Sequence, residues 1–271
     1  MKIVCTSDTH HKFPEPETGG DIFIHCGDFS FLSPVSRNNF GVLKREYENF
    51  FRYLKRIRKN FRQVIFVPGN HDFIFENFYP LIEDELEEAK ITVLIDSSVT
   101  FGGIKFWGSP ITPPFNNWAF SLGLENRKEL WDTVPNDTDV VITHGPPRGV
   151  LDFCSGDNVG CASLRARLLD LQPKYFISGH VHEGYGKDKL GETICLNVSH
   201  MDEFYNPTNK LVEFKIKARK NVRVKEEHII KLTCEVCDRY MTKPDIYMGE
   251  CLTCKGPITR AFDAKGNITC R

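Results

Sequence analysis

Residues 2–10 read Lys-Ile-Val-Cys-Thr-Ser-Asp-Thr-His, a short apolar run that gives way at once to polar side chains. Such a run predicts a strand buried on both faces, as in a sheet covered by helices. The pattern returns at 21–25, which leads into Cys26-Gly27-Asp28, and at 63–67, which leads into Pro68-Gly69-Asn70-His71-Asp72. It returns again at 139–143, ending at His144, and at 174–178, ending at Gly179-His180-Val181-His182. Between the second and third runs, Leu43, Tyr47, Phe50, Phe51, Leu54 and Ile57 keep helical spacing, with Lys and Arg between them, which predicts a helix over 42–60. Further helices are expected at 80–90 and at 161–171, the latter stopped by Pro173. Strands are expected at 93–95, 99–101, 104–107, 193–198 and 211–216, with a tight turn at Gly102-Gly103. The whole reads as a layered α/β fold.

The chemistry-bearing residues fall in one kind of place. Asp8, His10, Asp28, Asn70, His71, His144, His180 and His182 all follow the carboxyl ends of predicted strands. Ligands of open α/β sheets bind at that edge. Any single one of these motifs is weak, since a lone His is more often a surface or satisfied core residue. Several in order, each at a strand end, point to one site.

These motifs resemble the five ordered motifs of the calcineurin-like metallophosphoesterases: Asp8-Thr-His10, Gly27-Asp28, Gly69-Asn70-His71-Asp72, Thr143-His144-Gly145 and Gly179-His180-Val-His182. The likeness narrows to the metallophosphoesterase-domain-containing (MPPED-like) branch through His144-Gly145-Pro146-Pro147, Gly160-Cys161, the run 182–186, Asn197-Val-Ser199 and Pro207-Thr208-Asn209. It covers about residues 1–216. It implies a β-sandwich flanked by helices. It implies that Asp8, His10 and His182 hold one metal ion, that Asn70, His144 and His180 hold a second, and that Asp28 bridges them. Mixed oxygen and imidazole donors suit Mn, Fe or Zn. Some relatives carry Gly where this chain has His180. The implied reaction is in-line attack on phosphorus by a hydroxide shared between the metals, with His71 as general acid. Asp72 either orients neighbouring groups or caps backbone amides in its turn. Relatives in this branch act on cyclic nucleotides, so the implied enzyme is a phosphodiesterase of a small nucleotide, cyclic forms included.

Around this core other residues have two readings each. Phe115 and Trp118, in a Pro-rich loop over 110–120, either stack on a base or pack beneath the loop. Arg148 either holds a phosphate or ribose oxygen or is solvated. His11, His25, His200 and His228 are read as non-ligands.

Composition changes after Ile216. A basic connector is expected at 217–231 and a small module at 232–271. There Cys234-x-x-Cys237 and Cys251-x-x-Cys254, thirteen residues apart, resemble a zinc ribbon with one structural zinc. A tail this short builds little core, so a metal staple is physically reasonable. Lys215, Lys217, Arg219, Lys220, Arg223 and Lys225 either meet phosphates or form a solvated linker. The alternatives to a small-nucleotide phosphodiesterase are a nuclease or end-processing enzyme docked through this tail, a phosphomonoesterase of proteins or small molecules, and a metal-binding regulator.

Bulk properties fit these readings. The 271 residues carry 35 basic and 36 acidic side chains, so no global charge points to nucleic acid or to a membrane surface. No apolar run approaches the roughly 20 residues needed to span a bilayer. The amino-terminal residues do not read as a signal peptide, and a cytoplasmic location is expected. The scattered cysteines, Cys5, Cys26, Cys154, Cys161, Cys195 and Cys270, are then expected as free thiols.

Overall fold

The computed structural model describes residues 1–217 and, beyond them, six short strands between 231 and 269. The chain divides into two compact units, Met1–Ala218 and Arg219–Arg271. In chain order the strands of the first unit are β1 (Lys2–Thr6), β2 (Gly20–His25), β3 (Phe61–Phe66), β4 (Ile91–Val93), β5 (Ser97–Phe101), β6 (Ile104–Ser109), β7 (Val140–Thr143), β8 (Phe153–Cys154), β9 (Asp157–Asn158), β10 (Tyr175–Ser178), β11 (Gly186–Leu190), β12 (Thr193–Asn197) and β13 (Val212–Lys215). Its α-helices are α1 (Phe40–Arg58), α2 (Phe73–Asn77), α3 (Glu83–Glu88), α4 (Leu124–Asp132) and α5 (Ala162–Leu171).

Two sheets result. One has the order β13-β1-β2-β3-β4 and is parallel except for β13. The other has the order β11-β12-β10-β7-β6-β5, with a parallel centre and antiparallel edges β11 and β5. Alternation along each strand decides what every face meets. Ile3, Cys5, Ile22, Ile24 and Ile65 of the first sheet pack with Phe106, Val140, Ile142, Ile177 and Leu196 of the second. The intervening Val4, Phe23, Val64 and Phe66 face the other way and meet α1–α3. Trp107, Val141 and Phe176 likewise meet α4 and α5. The unit is therefore a mixed α/β sandwich of two sheets between helices. Strands buried on both faces explain why their sequences are continuously apolar rather than alternating.

Helix α1 begins at Asn39, whose side chain accepts from Val42 N, and carries Lys55, Arg56 and Arg58 in its last turn, where cations favour the helix dipole. Helix α5 starts from Cys161 and ends at Gln172 in the left-handed conformation, just before Pro173. The region expected as one helix over 80–90 is instead a 3₁₀ turn at Tyr79–Leu81 followed by α3. Among the described residues Cys5, Cys26, Cys161 and Cys195 are buried free thiols, and Cys154 is half-buried. No helix of the described residues is long and apolar enough to cross a membrane.

In the second unit Tyr240–Met241, Lys231–Cys234, Ile258–Phe262 and Ile268–Thr269 form an antiparallel sheet in that order, and Ile246–Tyr247 pairs with Glu250–Cys251. Cys237 and Cys254 lie outside the described residues, as do the side chains of Cys234 and Cys251. The expected zinc site therefore lies outside them too, along with nearly all of the basic connector.

Candidate metal centre

The loops after β1, β2, β3, β7 and β10 meet at one rim. The two sheets are tied together there: Ser7 N donates to Val198 O at 2.9 Å, and His200 N donates to Ser7 O at 2.8 Å. Asp8, from the first sheet, accepts the His180 backbone N–H, from the second, at 2.9 Å. Several of the residues that matter are held in the left-handed backbone region, with φ of 51° at Asp8, 38° at His10, 57° at Asp28 and 68° at His180. Non-glycine residues persist there only when their surroundings fix them, and such strain gathers at functional sites.

Crowding explains two motif glycines. A Cβ at Gly69 would collide with the Asp28 carboxylate and backbone N, and one at Gly179 with Ser7 Oγ and the Asp8 carboxylate. These positions lack side chains because other groups of the centre occupy the space.

The histidines are aimed by their far nitrogens. Nδ1 of His10 lies 2.6 Å from Ser30 O, Nδ1 of His144 lies 2.8 Å from Cys26 O, and Nδ1 of His182 lies 3.0 Å from Asp202 O. A carbonyl only accepts, so each Nδ1 carries a hydrogen and Nε2 is left to face the centre, as a lone pair whenever the ring is neutral. His10 Nε2 is buried with no hydrogen-bond partner. His144 Nε2 lies 3.0 Å from Asn70 Oδ1 and 3.2 Å from Asp28 Oδ2. His182 Nε2 lies 3.7 Å from Asp8 Oδ1. Carboxylates and imidazole nitrogens gathered in a buried site call for positive charge, as protons on the rings or as a bound cation. Asp8, His10 and His182 form one group whose ligand atoms lie within 4.8 Å of one another; Asp28, His144 and His180 form a second, and His10, Asp28 and His71 a third. The donor set thus fits divalent cations.

The electrostatics agree. Burial works to raise the pKa of Asp8, but the His182 hydrogen bond and the charges of His144 and His182 hold it below the ordinary range. Burial likewise opposes ionisation of Asp28, and His144, His71 and His10 together hold it well below that range. Burial would lower His144, yet Asp28 and then Asp8 raise it to about 9. His10 and His180 are lowered to about 4, mainly by burial. The carboxylates are set for cationic neighbours and these two imidazoles for neutrality, as metal ligation demands.

Asp72 serves the backbone. Its carboxylate accepts from Gly69 N at 2.7 Å, Asp28 N at 2.8 Å and Ser30 N at 3.3 Å, so it clamps the loops after β2 and β3 to each other. His71 donates its backbone N–H to Asp28 Oδ1 at 2.8 Å, and its Nδ1 lies 2.8 Å from Leu32 O. Its Nε2 stands 3.8 Å from Asp28 Oδ2. Asn197 Nδ2 donates to Val181 O at 2.8 Å and Gly179 O at 3.3 Å, and Asn209 Nδ2 to Ser199 O and Met201 O at 3.0 Å each. These asparagines fasten the last loops of the site.

The remaining expected residues part company. Trp118 sits against the core and against the His71 ring, centroids 4.2 Å apart. Phe115 is exposed and lines a cavity beside His180 and His182. The Arg148 guanidinium engages the β8–β9 hairpin through Asn158 O and Asp157. His11 pairs with Glu46, buried His25 bridges Thr9 Oγ1 and Gly27 N, and His200 Nδ1 meets Asn209 O. Sequence reasoning missed Tyr205 and Phe31, whose rings lie 5.2 Å apart and each 5.2 Å from that of His10. Tyr205 has a φ of 60°, and an aromatic pair flanked by Asp202 and Pro207 was its only sequence signal.

Comparison with known proteins agrees with this geometry. Residues 1–184 match the profile of the calcineurin-like phosphoesterases. The chain is 32% identical over 234 residues to human metallophosphoesterase domain-containing protein 1, covering 77% of this chain and 68% of the relative. It is 33% identical over 220 residues to a UPF0046 protein of Caenorhabditis elegans, covering 75% of this chain and 71% of that one. In fold it is similar to the crystal structure of the protein TT1561 of Thermus thermophilus, at 16% identity and a TM-score of 0.51, covering 80% of this chain and 99% of the other. The chain belongs to the calcineurin-like phosphoesterase family, which makes it a metal-dependent hydrolase of phosphate esters.

Proposed function

We propose that this chain is a phosphodiesterase of a small nucleotide, cyclic forms included, working at a centre of two divalent cations. The observation that carries the centre is the set of His10, His144 and His182 rings, each fixed at Nδ1 by a backbone carbonyl and grouped with Asp8 or Asp28. On this reading Asp8, His10 and His182 hold one ion, Asn70, His144 and His180 hold the other, and Asp28 joins both groups. The ions, Mn, Fe or Zn by donor type, supply Lewis acidity that activates water and offsets charge on phosphoryl oxygens. His71 is placed to pass a proton to the leaving oxygen, with Leu32 O fixing the ring through Nδ1 and Trp118 packed on its face. Asp72 keeps Asp28 and Gly69 in register and touches no substrate. The nucleotide preference is supported by the resemblance of the segments at 144–147 and 182–186 to the MPPED-like branch.

A structural zinc at Cys234, Cys237, Cys251 and Cys254 is part of the same proposal, supported by their spacing. So is a cytoplasmic setting. The deciding experiment assays the purified full chain with Mn²⁺ against 2′,3′- and 3′,5′-cyclic nucleotides, single-stranded DNA and RNA, and a phosphopeptide. The proposal expects the highest kcat/KM on a cyclic nucleotide. A polymer or phosphopeptide preferred by tenfold or more, about 1.4 kcal/mol, would transfer the reading to a nuclease docked through the basic tail or to a phosphomonoesterase.

A further inference from the structure

Beside the last two histidines of the centre lies a cavity of about 420 Å³, lined by Phe115, Val159, Tyr205, Glu183 and Glu203 among others. His180 and His182 form part of the same lining, so an ester held at the centre has this space next to it. Four of the exposed large apolar side chains belong to this neighbourhood: Phe31 at 54%, Phe115 at 62%, Val159 at 43% and Tyr205 at 46% exposure. Gathered exposed apolar surface at a concave site marks a place where something binds.

Tyr205 is built into position. Its backbone is left-handed, with a φ of 60°, which a bulky residue adopts only under constraint. The constraint is Asp202. Its carboxylate accepts from Phe204 N and Asn206 N at 2.9 Å each, and its carbonyl meets His182 Nδ1. The loop that displays the phenol ring is therefore fastened to a histidine of the centre. The ring lies 4.8 Å from that of His182, edge on.

Resting on the nucleotide reading above, we infer that this cavity is the base subsite, and that it takes a flat heteroaromatic ring bearing an exocyclic amino group, with Tyr205 as the residue that selects for the ring. Aromatic surface is supplied by Tyr205 and Phe115. The volume falls in the range of about 300–1,000 Å³ usual for small-molecule sites, which suits one nucleoside and not a polymer. Carboxylates accept hydrogen bonds and cannot donate them. Glu183 and Glu203 therefore match N–H donors on the ring edge and repel a further phosphate. Glu183 is itself held by Cys154, whose sulfur lies 3.2 Å from its Oε1.

Cytidine and uridine test this directly, because they differ at the ring position where one carries an amino group and the other a carbonyl. Calorimetry on the full chain should show cytidine binding at least about fivefold more tightly than uridine, and ribose not at all. Cytidine should slow maleimide alkylation of Cys154, read by peptide mass, which places it in this cavity. Tyr205→Leu should weaken cytidine binding about tenfold or more, within the range that base stacking on an aromatic ring contributes, and Tyr205→Phe should keep it. No cytidine binding, equal uridine binding, no protection of Cys154, or full binding by Tyr205→Leu would each overturn the inference. The same preparation is assayed with Mn²⁺ on bis(p-nitrophenyl) phosphate. Hydrolysis without cytidine binding defeats the subsite alone, whereas the expected binding without any hydrolysis leaves the subsite standing and defeats the functional reading.

Discussion

The Asp28 backbone N–H donates to the Asp72 carboxylate at 2.8 Å, so the residue whose side chain is proposed to join two metal ions is held at its backbone by a neighbouring carboxylate. The same carboxylate also holds Gly69 N and Ser30 N. Asp72→Asn offers one fewer acceptor and places an amide donor against these N–H groups. Leaving buried N–H donors without a partner costs about 1–3 kcal/mol each. The variant is expected to melt at lower temperature and to lose metal from both sites. Equal Tm and metal content in wild type and Asp72→Asn would contradict the clamp.

Asp28→Ala removes the one carboxylate shared between the proposed ions. Activity and metal loading should be lost at both sites together, since no other side chain is assigned to both. Metal analysis after dialysis, with turnover on the same sample, decides it. Two retained ions with wild-type turnover would refute the assignment.

His71→Ala should separate chemistry from metal binding. Metal content should hold while turnover falls roughly 10²–10⁴-fold, the usual contribution of a general acid. The loss should shrink on nitrophenyl esters, whose leaving groups need no proton. A loss of equal size on good and poor leaving groups, or a lost metal ion, would count against the role; the second would agree with the grouping of His71 with His10 and Asp28.

Gly179→Ala tests the crowding at the rim. The new methyl would meet Ser7 Oγ and the Asp8 carboxylate, both delivered by the other sheet. The first metal, held by Asp8, should be lost before the second. An unaltered metal content and an unaltered rate would show that the loops after β1 and β10 are not held as tightly as their contacts imply.

Truncation after Ile216 separates the small-nucleotide reading from a polymer reading. If the substrate is a small nucleotide, kcat/KM should change by less than about tenfold, or 1.4 kcal/mol. If a polymer is gripped through the basic residues beyond β13, affinity should fall by orders of magnitude and its salt dependence should flatten.

Much of this architecture was legible because the parallel strands are buried on both faces. The apolar run that opens residues 2–10 forms strand Lys2–Thr6, and each motif loop follows the end of its strand. What escaped notice has a common physical character. Helix α4 buries only Arg127 and Trp131 and shows little apolar period. Strand β11 reads Gly-Lys-Asp-Lys-Leu, an edge strand with its polar residues in solvent. Tyr205 is placed by a loop conformation set by Asp202 and meets Phe31 through a ring contact across the chain, neither of which leaves a periodic trace. The ligand roles were read from resemblance. The carbonyl behind each imidazole, which explains their aim, became visible only once Ser30, Cys26 and Asp202 were placed.

The central claim is that one carboxylate, Asp28, joins two metal ions in a single centre. Electron paramagnetic resonance of the metal-stripped full chain, after zinc is restored to one equivalent and two equivalents of Mn²⁺ are added, tests this most directly. Two ions about 3.5–4 Å apart should give the multiline spectrum of an exchange-coupled Mn²⁺ pair, absent from Asp28→Ala. A wild-type spectrum showing only isolated Mn²⁺ ions would contradict the claim.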